Sequence, residues 1–281
     1  MKRFIITLLT AGLATTVLYG QTPVSGKITY EGMRQIDRSQ MRMAINGQEV
    51  RPGSPGAPEP PEGLPEVMSF TQKLLFVGTM AKEERDRPGG NMMFRRQSPD
   101  GASDGAGGGA GSQGNRPRNM RMNFPFEQQT YLDLAKSQRI DVLTVKKDSI
   151  TSEMYRAEKP LPTAVDWQAS DKTKKIAGYV CHKATATHRK MPYTVWYTTD
   201  LPFTYSPVAD LTPPKGVVLQ IESDNESYKA TGVSMEAVAA TVVEPPKEAK
   251  TVSADEMEQI RRKGMADFRQ KMMQNSQFQR N

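Results

Sequence analysis

The stretch that decides the fold is "KKIAGYVCHKATATHRKMPYTVWYTTDLPF", Lys174 to Phe203, which holds both histidines and the only cysteine of a 281-residue chain. Apolar and polar residues alternate on each side of a short break at Arg189 to Pro192. Alternation with a period of two is typical of a half-buried strand. The stretch therefore predicts two antiparallel strands joined by a short turn.

This alternation argues against catalytic or metal chemistry in the stretch. Cys181 and His182 are neighbours, so on a strand their side chains point to opposite faces of the sheet. His182 and His188 are predicted on one face, but at about 3.3 Å per residue they lie about 20 Å apart. We interpret Cys181 as a buried thiol, and we predict neither catalytic residues nor a metal site.

The second predicted strand carries a large aromatic residue, Trp196, whose side chain is well suited to a protein core. Together with Tyr179, Val195 and Tyr197, it is a candidate either for the sheet core or for the wall of a ligand groove. The core is the favoured interpretation for each of the four residues.

The same kind of pattern recurs along the chain, where helix-period segments are scarce before residue 250. In "SGKITYEG", Ile28 and Tyr30 alternate with polar neighbours. Further strand or hairpin segments are predicted at 69–80, 128–135, 139–158 (turning near Lys147-Asp148) and 216–238 (turning at Asp224-Asn225). We therefore predict a mainly β chain with one antiparallel, meander-like sheet.

Two insertions are poor core material. Residues 51–66 contain six prolines, which predicts a polyproline-like loop. Residues 86–124 are rich in Gly, Ser, Asn and Arg without an apolar period, which predicts a long disordered insert.

The C-terminal part, 244–281, is predicted as a linker followed by an amphipathic helix. Ser253 and Glu256 have the spacing of a capping box, and apolar residues from Met257 onward recur at helical spacing. The favoured interpretation is a helix laid on the sheet or projecting from it. The alternative is a basic helix that rests on a membrane surface.

The first twenty residues, within "MKRFIITLLTAGLATTVLYGQT", combine two basic residues with an apolar segment and a small-residue end. This pattern predicts a secretory signal peptide at 1–20, cleaved before Gln21, rather than a buried N-terminal helix. The β domain is then 21–243. We expect export to the periplasm, the outer membrane or the extracellular space. With one cysteine, no disulfide can form within the chain.

The sequence contains no Gly-x-Ser-x-Gly elbow, His-Glu-x-x-His site, P-loop, Rossmann fingerprint or Cys-x-x-Cys pair. Its 31 acidic residues show no telling pair, so a carboxylate-only enzyme stays open. Close methionine pairs occur among 17 methionines and could bind Cu(I). However, Arg42 and Arg121 lie inside two of the pairs and would repel a cation. We predict no cofactor.

The order "KIAGYVCHKATA", "VWYTTDLPF", a proline loop and "GVVLQI" resembles the GLPGLI family, secreted proteins of Bacteroidetes with no established activity. The positions that carry the resemblance are Gly178, Cys181, Trp196, Tyr197 and Gly216. The naming motif is degenerate here, since only its glycine is kept. The resemblance implies a single curved, half-barrel-like sheet, similar to that of periplasmic lipoprotein carriers.

These observations together predict a non-enzymatic binding protein of the cell envelope. Its curved sheet would bind an apolar ligand, a lipidated partner or a protein surface. The alternative is a structural or interaction protein whose basic insert and helix contact an envelope partner or an anionic membrane surface. A copper-binding protein and an enzyme rank third. An exported protein rarely meets nucleic acid, so no nucleic-acid partner is expected, and the sequence leaves the oligomeric state open.

Overall fold

The structure is a computed structural model that describes residues 23–36, 43–45, 48–50, 66–86, 125–147 and 151–278. The expected signal peptide, proline-rich loop and Gly/Arg-rich insert lie outside these residues, apart from Glu66 and Asp86 at their borders. Those three expectations, and the division into domains, therefore stay predictions.

The described elements are mostly strands, and they follow one another in this order: β1 (Ser25–Gln35), β2 (Met43–Ile45), β3 (Gln48–Val50), β4 (Val67–Val77), β5 (Met80–Arg85), β6 (Phe126–Asp133), β7 (Gln138–Lys146), β8 (Ser152–Pro160), β9 (Val165–Ile176), β10 (Tyr179–His188), β11 (Met191–Thr198), a 3₁₀ turn (Ala209–Leu211), β12 (Val217–Glu222), β13 (Glu226–Ser234), α1 (Ala240–Val243), β14 (Lys250–Thr251) and α2 (Ala254–Phe278).

Within the described residues, twelve strands form one open sheet in the order β14-β8-β7-β6-β5-β4-β1-β13-β12-β11-β10-β9. Every neighbouring pair is antiparallel except β14 and β8, which run parallel. β2 and β3 pair separately. The predicted fold class, a mainly β chain with one largely antiparallel sheet and a C-terminal helix, is confirmed.

The first strand lies in the middle of the sheet, between β4 and β13. Ile28 and Tyr30 of β1 are fully buried while Lys27 and Thr29 are not, as their alternation predicts. We call the face that bears Ile28 and its directly paired neighbour Leu74 the inner face. One hydrophobic cluster joins these residues to Ile176 and Cys181, although β9 and β10 stand at the far end of the strand order. The sheet is therefore strongly curved.

The chain after β13 passes around one edge of the sheet. Ala249 packs with Tyr131 and Ile140, which alternate with the inner-face residues. β14 then pairs with β8, and Met257 of α2 packs against Leu143 and Ala157 on the inner face. The C-terminal segment thus crosses from the outer to the inner face.

The predicted helix forms, and its capping box is confirmed. The Ser253 amide donates to the Glu256 carboxylate at 2.8 Å, and the Glu256 amide donates to the Ser253 hydroxyl at 3.1 Å. The first turns of the helix rest on the sheet through Met257 and Ile260. Among the residues described, we find no helix with the length and apolarity needed to cross a membrane.

Two predicted strand boundaries are wrong because tight turns interrupt the alternation. The strand expected from Lys174 onward is broken by a turn at Ala177 and Gly178, whose φ angles are 47° and 89°. The segment 69–80 likewise contains a turn at Gly78, with φ 58°. The positive φ at both Ala177 and Gly178 is typical of a two-residue type I′ hairpin turn. The stretch from Lys174 therefore contains parts of three strands rather than two.

Candidate functional site

A row of polar side chains crosses the inner face between β4 and β8. The pairing register places Leu74 opposite Glu83, Glu83 opposite Thr130, and Thr130 opposite Asp141. Directly paired residues of antiparallel strands share one face, so these side chains point the same way. We call the following residues the polar band: Gln72, Glu83, Arg85, Thr130, Arg139, Asp141 and Lys159.

Glu83 is the end of a chain of hydrogen bonds inside this band. The Arg85 guanidinium donates to the side-chain oxygen of Gln72 at 2.6 Å, and the Gln72 amide donates to the Tyr205 hydroxyl at 3.0 Å. Tyr205 in turn donates to the Glu83 carboxylate at 2.9 Å. Gln72 and Tyr205 are almost fully buried, so the chain of bonds holds Glu83 in one orientation.

The surroundings of Glu83 favour its protonated form. Burial of the carboxyl group raises the pKa of Glu83, and the negative charge of Asp141 acts in the same direction. The positive charges of Arg139 and Arg85 and the Tyr205 hydrogen bond oppose this rise without cancelling it. The residue as a whole is only partly buried, and burial of its carboxyl group is the main cause of the raised pKa.

The surroundings of Asp141 have the opposite effect on its pKa, although Asp141 is also buried. Burial alone would raise its pKa, but the charge of Arg139 and a hydrogen bond from Lys159 outweigh that effect and lower the pKa. Arg139 Nε lies 2.8 Å from Asp141 Oδ1, and Lys159 Nζ lies 2.8 Å from Asp141 Oδ2. The Thr130 hydroxyl donates to Asp141 Oδ1 at 3.2 Å. Asp141 is therefore held ionised.

Two carboxyl groups with opposite pKa shifts thus share one face of the sheet. Glu83 and Asp141 lie on β5 and β7 with β6 between them, which separates their backbones by about 10 Å at the usual strand spacing. Paired groups whose surroundings push their pKa values apart can act as acid and base in hydrolysis.

A cleft adjoins Asp141, but not Glu83, where α2 crosses the sheet. Asp141 and Lys159 line one side of it, and Met257, Glu258 and Arg261 of α2 line the other. Asp141 and Lys159 are thus common to the polar band and to the cleft.

The model of the N-glycanase peptide N-terminal domain, of PNGase F-II type, matches residues 113–260, which is more than half of the chain. The chain belongs to this N-glycanase family. The match includes β6 to β14 and the start of α2, and therefore contains Asp141, Tyr205 and the residues that line the cleft except Arg261. Glu83 on β5 lies outside the matched residues.

Two crystal structures of PNGF-II, in space groups C2 and P21, are similar to this member of the N-glycanase family at 14% sequence identity. They cover 86% of this chain, with TM-scores of 0.49 and 0.47. The chain spans 33% and 34% of their lengths, about a third of each. No curated protein is similar enough to this chain to count as a match.

The N-glycanase family match corrects two expectations. The resemblance to the GLPGLI family is wrong, because the matching model describes N-glycanase N-terminal domains. The expected non-enzymatic envelope protein of unknown activity is also wrong, together with its alternatives of an interaction or copper-binding protein, because the matching model is that of an N-glycanase domain.

The four residues predicted for a core or groove lie on β10 and β11, away from the polar band along the strand order. Val195 is fully buried, whereas Tyr179, Trp196 and Tyr197 are partly buried at the margins of the core clusters. The Lys174 ammonium lies 4.1 Å from the centre of the Trp196 ring. A ligand groove at these residues stays a prediction.

The structure also places the two glycines, the cysteine and the two histidines that the sequence analysis considered. Gly178 lies in a turn, and Cys181 is buried, as expected of a core thiol. Gly216 has a φ of 99°. His182 is exposed within β10, while His188 is buried at the C-terminal end of this strand with Nδ1 3.2 Å from the Asp210 carboxylate.

Sequence reasoning missed Glu83 and Asp141. A signal for Asp141 was present, because it stands between Ile140 and Val142 inside a predicted strand, where a charge needs a partner. Glu83 gave no comparable signal. Its partner Tyr205 lies in an irregular loop, and only the folded chain brings the two together.

Proposed function

We propose that this chain hydrolyses the amide bond between an asparagine side chain and an N-linked glycan, with Glu83 as general acid and Asp141 as general base. The observation that carries the proposal is the pair of carboxyl groups with opposite pKa shifts on one face of the sheet. The N-glycanase family supports the choice of bond.

In this reaction, Asp141 takes a proton from water as the water oxygen attacks the amide carbon. Glu83 gives its proton to the nitrogen as the carbon–nitrogen bond breaks. The peptide then carries an aspartate, and the glycan leaves as a glycosylamine. Arg139, which lies 2.8 Å from Asp141 and donates to Thr130 at 3.2 Å, supplies positive charge for the oxyanion that forms in between.

Export of the chain accords with this proposal, because N-glycosylated substrates of such a protein lie outside the cytoplasm. The charged N-terminus and apolar segment of residues 1–20 support a cleaved signal peptide and a periplasmic or extracellular location. An anionic membrane surface as a further partner of the basic C-terminal helix is part of the same proposal.

The test is an assay of residues 21–281 with an N-glycosylated peptide, read by mass spectrometry as conversion of asparagine to aspartate. Glu83→Gln and Asp141→Asn should each lower kcat by about 100-fold or more, the usual contribution of a general acid or base. Glu84→Gln, which changes the exposed neighbour outside the polar band, is the matched control. Unchanged turnover in both test variants would refute the assignment.

A wild-type protein that binds the glycopeptide without converting it would refute the proposed activity. This domain would then serve substrate recognition, and the hydrolytic residues would belong to another part of an N-glycanase. The span of about a third of the solved PNGF-II chains makes this second outcome the specific alternative to test.

A further inference from the structure

A second group of polar side chains lies on β9 to β13, on other strands than the polar band. Lys183 of β10 is paired with Trp196 of β11. Trp196 is also paired with Gln220 of β12, and Gln220 is paired in turn with Lys229 of β13. Directly paired residues share one face of a sheet, so these side chains point the same way. Lys174 of β9 joins them, because its ammonium lies 4.1 Å from the centre of the Trp196 ring.

We call Lys174, Lys183 and Lys229 the lysine cluster, and its positive charge exceeds the negative charge beside it. Glu222 lies 3.9 Å from the Lys174 ammonium. Glu31 is paired with Lys229 across the strands. Within the described part of the chain, however, neither Lys183 nor Lys229 forms an ion pair. Two of the three ammonium groups are therefore free to bind an anion.

The charges of the lysine cluster are close enough to repel one another. Partial burial lowers the pKa of Lys174, and the positive charges of Lys229 and Lys183 lower it further. The Glu222 carboxylate opposes this effect without cancelling it. An anion bound among the three ammonium groups would relieve the repulsion.

The Trp196 side chain contains an unused hydrogen-bond donor. Its indole Nε1 is buried, and among the described residues it has no hydrogen-bond partner. An indole Nε1–H can only donate, and a buried donor without an acceptor is destabilising. The Lys174 ammonium lies over the ring on a flexible four-carbon stem, so it can turn aside to admit a ligand. That ligand has to supply an acceptor.

We infer that Trp196 and the lysine cluster form a binding site for a tetrahedral oxyanion, the charged group of a soluble phosphate or sulfate monoester. Ammonium and indole groups donate hydrogen bonds and accept none, so the ligand must be anionic and rich in acceptors. These four donor groups outnumber the oxygens of a carboxylate, whereas a phosphate or sulfate group offers a further acceptor oxygen.

The surroundings of the site favour a small ligand over an extended surface. Glu222 and Glu31 border the lysine cluster and would repel an anionic membrane, whereas a single oxyanion contacts the lysines alone. The site contains no residue of the polar band or of the cleft beside α2. The inference is therefore independent of the proposed hydrolysis.

The experiment follows the indole N–H resonances of the two tryptophans in ¹⁵N-labelled protein, residues 21–281, during titration with sodium phosphate at constant ionic strength. Trp196→Phe assigns the two resonances. The Trp196 resonance should shift and reach saturation, whereas that of Trp167, which packs against Tyr197, should stay in place. Sodium sulfate should give the same response, and sodium chloride alone should give none.

Lys174→Met and Lys183→Met should each raise the phosphate dissociation constant about tenfold, because each removes a charged hydrogen-bond donor. Lys175→Met is the matched control, since Lys175 follows Lys174 on β9 and points to the opposite face. Thermal unfolding in the absence of phosphate shows whether each variant is folded.

A Trp196 resonance that stays in place, or that moves equally with chloride, would overturn the inference. Equal dissociation constants for Lys174→Met, Lys183→Met and Lys175→Met would overturn it as well, because the lysine cluster would then not bind the anion. Sedimentation with vesicles of phosphatidylcholine and phosphatidic acid separates the two sources of phosphate. It should be equal for Lys183→Met and the wild type, and its loss in Lys183→Met would overturn the assignment to a soluble ligand.

Discussion

The Tyr205 hydroxyl donates a 2.9 Å hydrogen bond to the Glu83 carboxylate, although the two residues are 122 positions apart in the chain. Tyr205 is held in place by its backbone, because its amide donates to the Gly216 carbonyl and its carbonyl accepts from the Val218 amide. The loop before β12 is thereby fixed against β5, and the environment of Glu83 depends on that contact.

Glu83→Gln should change how stability depends on pH. Because the folded-state pKa of Glu83 is raised by burial, folding favours its protonated form. The stability associated with this form is present below the ordinary glutamate pKa and is lost as pH rises through the folded value. Urea unfolding between acidic and neutral pH should therefore show a smaller loss for Glu83→Gln than for the wild type. Parallel curves for the two proteins would contradict the raised pKa, and Glu84→Gln should follow the wild type.

Asp141→Asn should destabilise the protein by about 2 kcal/mol at neutral pH, since charged hydrogen bonds are typically worth 1.5–3 kcal/mol. The variant leaves Arg139 and Lys159 without their carboxylate partner. Because the pKa of Asp141 is lowered, its contribution is present above the ordinary aspartate pKa and is lost as pH falls through the folded value. The wild type should thus lose its advantage in strongly acidic urea titrations. An equal difference at all pH values would contradict this, and exposed Asp171→Asn is the control.

Gly216→Ala should be far more harmful than Gly178→Ala, although both glycines have positive φ angles, 99° and 89°. A Cβ at Gly216 would overlap the backbone carbonyl oxygen of Thr198, whereas a Cβ at Gly178 meets no atom within 4 Å. We expect about 1 kcal/mol for Gly178→Ala, from backbone conformation alone, and about 3 kcal/mol or more for Gly216→Ala. Thermal and urea unfolding measure both, and similar losses would show that the Thr198 contact is not tight.

Cys181 should react slowly with alkylating reagents while the protein is folded. Burial raises the pKa of its thiol from the usual value to about 11, and only the thiolate reacts. At mildly alkaline pH we expect iodoacetamide to modify the folded protein about 100-fold more slowly than the protein in concentrated urea. Comparable rates in the two states would mean that the β9–β10 hairpin opens readily.

The incorrect family resemblance has a structural explanation. The pieces that carried it include Gly178, Trp196 and Gly216, and these residues serve a hairpin turn, a partly buried strand position and a tight backbone contact. Requirements of this kind recur in many antiparallel sheets. They therefore indicated the fold correctly and the family wrongly.

The sequence by itself determined the strands, the inward direction of Ile28 and Tyr30, the hairpin at Asp224-Asn225 and the capping box of Ser253 and Glu256. These features depend on residues close together in the chain, so local periodicity and turn chemistry are enough to predict them. The tertiary structure alone decided that β1 lies between β4 and β13, that Tyr205 meets Glu83, and that α2 completes a cleft beside Asp141. Those relationships join distant segments through packing over the whole sheet, and a charged residue in one strand carries no local sign of the strand that will lie beside it.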